Sequence, residues 1–191
     1  IESILNVPLI NAGWGRQGHP TQALLDSLTI YEKYENIDNK NILFVGDIKH
    51  SRVVSSHIEL SKKLNYNIGF CAPEEFLPEL KQNSASVFKN LREGLAWADV
   101  VIALRVQKER HENENIFLLE DYRENFGLNS TSIKNLKKDA LIMHPGPINY
   151  GIEIEVEVLS DARCMILKQV ENGVFLREAL IRKISENIEK F

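Results

Sequence analysis

An α/β fold, a parallel sheet with helices on both faces, is what this 191-residue sequence predicts. Two observations predict it. Short apolar runs alternate with segments of helical period, the pattern of successive βαβ units. The runs ILFVGD, NIGFCA, DVVIALRV and ALIMH show little polar alternation, so strands built from them need cover above and below. A third observation qualifies the picture. VPLINA (7–12) also reads as a strand, yet a long helix and a polar connector separate it from the alternating set. A lone strand cannot satisfy its own backbone groups, so its sheet is expected elsewhere. The chain reads as the back part of a two-domain protein.

The elements follow in order. Pro20 suits a first helical position, where its missing N–H is not needed. Ala23, Leu24, Leu25, Leu28 and Tyr31 then recur at helical spacing, predicting a helix over 20–34. A polar connector (32–41) leads to a strand at 42–47, ending in Gly-Asp. Ser51 is a natural N-cap for a helix over 51–64. A strand follows at 67–72 and is ended by Pro73. Residues 87–98 read as a helix and 99–106 as a strand. Residues 116–126 and 132–139 are helical in pattern, and 140–144 is a strand stopped by His-Pro-Gly-Pro. From about Asp161 onward, most of the chain reads as one long helix.

Composition narrows the function. The net charge is -4 and there is no basic run, which argues against nucleic-acid binding. Cys71 and Cys164 lie among apolar residues and read as reduced thiols of a cytoplasmic protein. No apolar stretch reaches the ~18 residues of a membrane span. No basic segment followed by an apolar one marks a signal peptide. The histidines (19, 50, 57, 111, 144) form no H-E-x-x-H pattern and pair with no cysteine, so no metal site is expected. GDIKHS is not a dinucleotide-binding glycine turn, and neither a phosphate-binding P-loop nor a G-x-S-x-G elbow occurs.

The candidate site lies where strands end, because open α/β sheets bind ligands at their carboxyl edge. Asp47 to Arg52 follow the first strand of the set, Arg105 to Arg110 another, and His144 to Pro147 the last. In extended backbone Arg105 and Gln107 point the same way. Two guanidinium groups at neighbouring strand ends, Arg52 and Arg105, suit a phosphate or a pair of carboxylates. Ahead of the first helix, NAGWGRQGHPTQ sets glycines before His19 and Gln22. His19 occupies the N-cap position, where Ser, Thr, Asp or Asn would cap better, so its side chain has other work. Taken singly, such an arginine is commonly a surface ion pair and HPGP a stiff turn. Their meeting at one sheet edge is what points to a site.

Four motifs carry a resemblance: VPLINAG…HPTQALLD, GDIKHSRV, LRVQKER and MHPGPIN…GIEI. In this order, from about Val7 to about Arg182, the chain resembles the aspartate carbamoyltransferase family. The related ornithine enzymes carry HCLP where this chain has His144-Pro145-Gly146-Pro147, and lack RVQKER. The resemblance implies a transcarbamoylase-like, Rossmann-like fold. It implies transfer of the carbamoyl group of carbamoyl phosphate to L-aspartate, an early step of pyrimidine synthesis, without cofactor or metal. It implies a cytoplasmic homotrimer in the complete enzyme, which regulatory chains can join. It divides the chain into a remnant strand and loop of the carbamoyl-phosphate domain (1–19), an interdomain helix (20–36), an aspartate-binding domain (37–160) and a C-terminal helix returning to the first domain (161–191).

Roles carry over residue by residue. His19 would donate to the carbonyl oxygen of carbamoyl phosphate, as the catalytic group, and Gln22 would meet its amide. Backbone carbonyls at Gly146 and Pro147 would hold the same amide. Arg52 and Arg105 would grip the two carboxylates of aspartate, with Gln107 beside them. A donor aimed at that oxygen stabilises the tetrahedral oxyanion made by amine attack. The positive end of the helix dipole favours neutral imidazole, which with one N–H can donate without titrating.

The resemblance also implies a cis Gly146-Pro147 bond and a final helix with Val174, Leu180, Ile184 and Ile188 partly uncovered. Trp14 and Gly18 depart from the family pattern. The family's phosphate-binding Ser-Thr-Arg-Thr segment and its lysine-bearing loop do not occur in these 191 residues. A non-catalytic transcarbamoylase-like module, used for binding or assembly, is the alternative expectation.

Overall fold

A computed structural model describes residues 8–15, 18–78, 85–106 and 116–188. Its sheet has five parallel strands: β1 (Asn41–Val45), β2 (Asn67–Cys71), β3 (Ala85–Phe88), β4 (Val100–Ala103) and β5 (Leu141–Met143). Their order across the sheet is β3-β2-β1-β4-β5. The helices are α1 (Pro20–Tyr34), α2 (Arg52–Leu64), α3 (Leu91–Trp97), α4 (Ile116–Phe126) and α5 (Ile166–Ile188).

Alternation along the strands feeds two apolar layers. Ile42, Phe44, Ile68, Phe70, Val100 and Ile102 meet Ile30 of α1, Val54 of α2 and Tyr122 of α4 on one face. Leu43, Val45, Cys71, Val101 and Ala103 meet Leu91 and Leu95 of α3 on the other, with Leu128 and Ile133. A sheet buried on both faces explains why its strands read as continuous apolar runs.

Helix starts follow local chemistry. Ser51 Oγ accepts from the Val54 N–H at 3.4 Å, and Asn90 Oδ1 from the Glu93 N–H at 2.9 Å. Both occupy a free donor of the first turn. His19 makes no side-chain cap at the start of α1.

Three expectations are corrected. The helix expected over 87–98 begins only at Leu91, and residues 85–88 form the edge strand β3 on β2. Capping by Asn90 sets that start. The helix expected over 132–139 is a single 3₁₀ turn, Ser132–Asn135. Asn129 Oδ1 takes the N–H groups of Thr131 and Ser132, which bends the chain into a turn, and Leu136 is already extended. Residues 8–12, within the expected strand 7–12, are not strand, and no described strand pairs with them. Without a neighbouring ladder an extended segment gains nothing from strand geometry.

α5 packs along α1, yet it shows solvent a line of apolar side chains. Leu167 is 86% exposed and Val174 64%, with Val170, Phe175 and Ile181 exposed as well. Leu180 and Ile184 are half-buried, and the Ile188 side chain lies outside the described residues.

Gly46 turns the chain from β1 into the candidate site with φ +124. A β-carbon there would lie 2.6 Å from the Leu104 carbonyl oxygen. Gly46→Ala combines positive-φ strain with overpacking, each worth ~1–3 kcal/mol. It should lower the urea midpoint of the chain without changing the slope. An unchanged midpoint would show that the turn tolerates a side chain.

Candidate active site

The carboxyl ends of β1, β4 and β5 border one cavity of about 340 Å³. Asp47 and Arg52 come from the β1–α2 connection, Arg105 from the end of β4, and Gly146 and Pro147 from the turn after β5. Gly15, from the segment before α1, adds a wall. The Gly146-Pro147 peptide is cis, as expected.

Each wall is held by a specific contact. Arg52 donates to the Gly13 carbonyl at 3.0 Å, which ties the segment before α1 to the cavity rim. Gly13 permits this approach: a β-carbon there would lie 2.8 Å from the Arg52 Cζ. Glu153, almost fully buried, staples two rims together. Its Oε1 accepts from the Val106 N–H at 2.7 Å and the Asn149 side chain at 2.9 Å, and its Oε2 from the Asn149 N–H at 2.9 Å. Burial raises its carboxyl pKa, while these bonds pull the other way. Asp47 is buried too. Its Oδ1 sits 2.8 Å from His50 Nδ1, and its Oδ2 has no hydrogen-bond partner among the described residues.

His19 stands at the α1 N-terminus beside this cavity but is not among its lining residues. Its N–H donates to Ser56 Oγ at 2.8 Å, and its Nδ1 is 3.3 Å from Thr21 Oγ1. Burial lowers its pKa, with Arg52 and Arg177 adding to the effect. Both effects favour the neutral imidazole. Gln22 is also absent from the lining; its amide donates to Asp26 at 2.9 Å. Gln107 lies outside the described residues.

His144 closes the back of the turn. Its Nδ1 accepts from the Gly146 N–H and its own N–H donates to Gln169 Oε1, both at 2.8 Å. Burial pushes its pKa down to about 4. In the unfolded chain the same imidazole titrates near 6.5. Stability from this group is complete above pH 6.5. It is lost as pH falls toward about 4, because the unfolded chain binds the proton first. The shift corresponds to roughly 3 kcal/mol over that window. Urea unfolding from pH 7 to pH 4 should show this loss, and His144→Asn, whose Oδ1 can still accept from Gly146, should flatten it. Equal pH slopes for the two proteins would refute the assignment.

Among the described residues no group of three or more His, Cys, Asp or Glu is arranged to hold a metal. No helix there is long and apolar enough to cross a membrane. Both cysteines are free thiols, and burial raises their pKa, Cys71 to about 12.

Residues 38–184 match the family described as aspartate/ornithine carbamoyltransferase, Asp/Orn binding domain. The chain belongs to this family. It is 41% identical over 182 residues to the aspartate carbamoyltransferase catalytic subunit of Staphylococcus saprophyticus, covering 94% of this chain and 60% of that protein. Aspartate transcarbamoylase from Trypanosoma cruzi in complex with carbamoyl phosphate is 28% identical with a TM-score of 0.79, covering 94% and 60% of the two chains. The same enzyme with aspartate and phosphate gives 27%, 0.79, 94% and 58%. The chain thus spans about 60% of the length of these carbamoyltransferases. As a carbamoyltransferase domain it brings Arg52, Arg105, Gly146 and Pro147 into one cavity. Sequence reasoning placed Asp47 in the candidate strand-end segment but did not single out Glu153, which joins the rims without lining the cavity. Its trace in the sequence was GIEI, one of the motifs that carry the family resemblance.

Proposed function

We propose that this chain is the acceptor-binding part of an enzyme that transfers the carbamoyl group of carbamoyl phosphate to L-aspartate. The products are N-carbamoyl-L-aspartate and phosphate, an early step of pyrimidine synthesis. The observation that carries this reading is the cavity itself. Arg52 and Arg105, after two adjacent strands, border the same hollow as the Gly146-Pro147 turn. Two guanidinium groups match an acceptor with two carboxylates. They would repel the side-chain ammonium of ornithine, which selects aspartate within the family. The trypanosomal relative's complexes with carbamoyl phosphate, and with aspartate and phosphate, support both substrates.

In this reading the aspartate amine attacks the carbamoyl carbon. A C–N bond forms, the carbon–oxygen bond to phosphate breaks, and the amine loses a proton as phosphate leaves. Neutral His19 donates to the carbonyl oxygen as negative charge gathers there. Thr21 Oγ1 can donate to Nδ1 and leave the ring proton on Nε2 for this purpose. Gln22 and the carbonyls at Gly146 and Pro147 hold the carbamoyl amide, and Gln107 assists the arginines. Holding both reactants in place supplies much of the acceleration. The complete protein works as a cytoplasmic homotrimer.

The test is an assay of the complete protein with carbamoyl phosphate and either L-aspartate or L-ornithine. Carbamoyl aspartate is the expected product. Preferential formation of citrulline would overturn the acceptor assignment. Sedimentation of the complete protein checks the trimer.

A further inference from the structure

We propose that Asp26 and Gln169 are positioning residues that hold the Gly146-Pro147 turn through His144. The proposal rests on the function just given, in which that turn holds the carbamoyl amide. Asp26 lies in α1, fully buried, and its carboxylate accepts from three sides. Its Oδ1 takes the Gln22 amide at 2.9 Å and the Gln169 amide at 2.8 Å, and its Oδ2 is 3.1 Å from His57 Nε2. His57 is fully buried as well, and its Nδ1 meets Tyr66 OH at 2.9 Å.

This arrangement fixes the direction of one side chain. The His144 N–H can only donate, and it faces Gln169. Gln169 must therefore turn its NH₂ toward Asp26 and its Oε1 away. That Oε1 receives the His144 N–H, and His144 Nδ1 in turn receives the Gly146 N–H. A chain of bonds runs from α1 through α5 to the turn that lines the cavity. Hydrogen bonds linked in this way inside a fold rigidify what they touch; at His144 it is the Nδ1 side of the ring that is bonded, while Nε2 has no partner among the described residues. Asparagine at position 26 has the same shape but can present a donor. The His144 N–H still requires Gln169 Oε1, but the Gln169 NH₂ can lose the acceptor that anchors it, and the side chain is then held from one end only.

The test uses the complete enzyme with Gln169→Met, which keeps volume and removes both bonds, and Asp26→Asn, which keeps shape. Two measurements are made. Hydrogen exchange at the His144 and Gly146 amides is read first, and needs no substrate. Both variants should exchange faster there than the wild type, with β1 and β2 amides unchanged. Carbamoyl phosphate and inorganic phosphate binding are read second. Gln169→Met should weaken carbamoyl phosphate about tenfold, the scale of one well-made hydrogen bond. Phosphate, which has no carbamoyl amide, should bind as in the wild type. The same variant should lower kcat by about 100-fold, as small misplacements do.

Unchanged exchange at both amides in either variant overturns the positioning role, whatever the reaction. Equal weakening of carbamoyl phosphate and phosphate also overturns it, since that pattern reports general disruption. Should Gln169→Met fail to fold, Asp26→Asn carries the same two readouts. A wild type that binds carbamoyl phosphate no better than phosphate would instead sink the functional reading, while the exchange result still decides the positioning.

Discussion

Arg105→Ala in the complete enzyme should lower kcat/KM for L-aspartate by roughly 30- to 5,000-fold. That range corresponds to ~2–5 kcal/mol, the scale for truncating one partner of a desolvated charge pair. Arg105 follows β4 and borders the cavity opposite the β1–α2 connection that carries Arg52. Removing it leaves one carboxylate of the acceptor without its guanidinium partner. Arg52→Ala should cost a similar amount and adds a second loss, because Arg52 also ties Gly13 to the rim. Lys108→Ala, in the same motif, should cost much less. Steady-state kinetics against aspartate decide the matter. Wild-type kcat/KM in Arg105→Ala would remove the arginine pair from the acceptor site.

The 191-residue chain alone should form carbamoyl aspartate no faster than buffer. The family's phosphate-binding Ser-Thr-Arg-Thr segment is not in its sequence. Binding energy from the phosphate end of the donor is what positions the carbamoyl carbon for attack, and losing it lowers turnover as well as affinity. His19, Arg52 and Arg105 would remain in place without a held donor to act on. A colorimetric assay for carbamoyl aspartate on the purified chain measures this. Turnover near that of a full-length relative would show that these 191 residues hold a whole active site.

Much of the fold was legible because the punctuation was local. Pro20 and Ser51 marked two helix starts within one residue of where they fall. The central strands were legible because burial on both faces leaves them apolar beyond their first residues, Asn41 in β1 and Asn67 in β2. β3 was missed because Val87 and Phe88 continue smoothly into the apolar pattern of α3. The correcting signal was present in Asn90-Leu91-Arg92-Glu93, an N-cap followed by a glutamate at the third helical position. The arginines and the HPGP turn were legible because strand ends gather ligand groups. Asp26 was not, since an aspartate within a helical pattern reads as a solvated face. Only the fold shows that Gln169, 143 positions away, reaches it.

That separation bears on the order in which the chain can fold. β1 and β2 pair in parallel across the α2 crossover, Asn41 with Asn67, a nearer partner in sequence than β4 or β5, so this half of the sheet can assemble early. α1 belongs to the same early part of the sequence but cannot complete its interior then. Until α5 has been synthesised, the Asp26 carboxylate lacks the Gln169 amide, and Thr29 lacks the Asn172 amide that also reaches back to α1. A nascent chain emerging from the ribosome therefore keeps this carboxylate in water. The last helix supplies the donors that let it go dry, so chains cut short before Gln169 retain a hydrated seam along α1. Synthesis of α5 becomes the event that seals this seam.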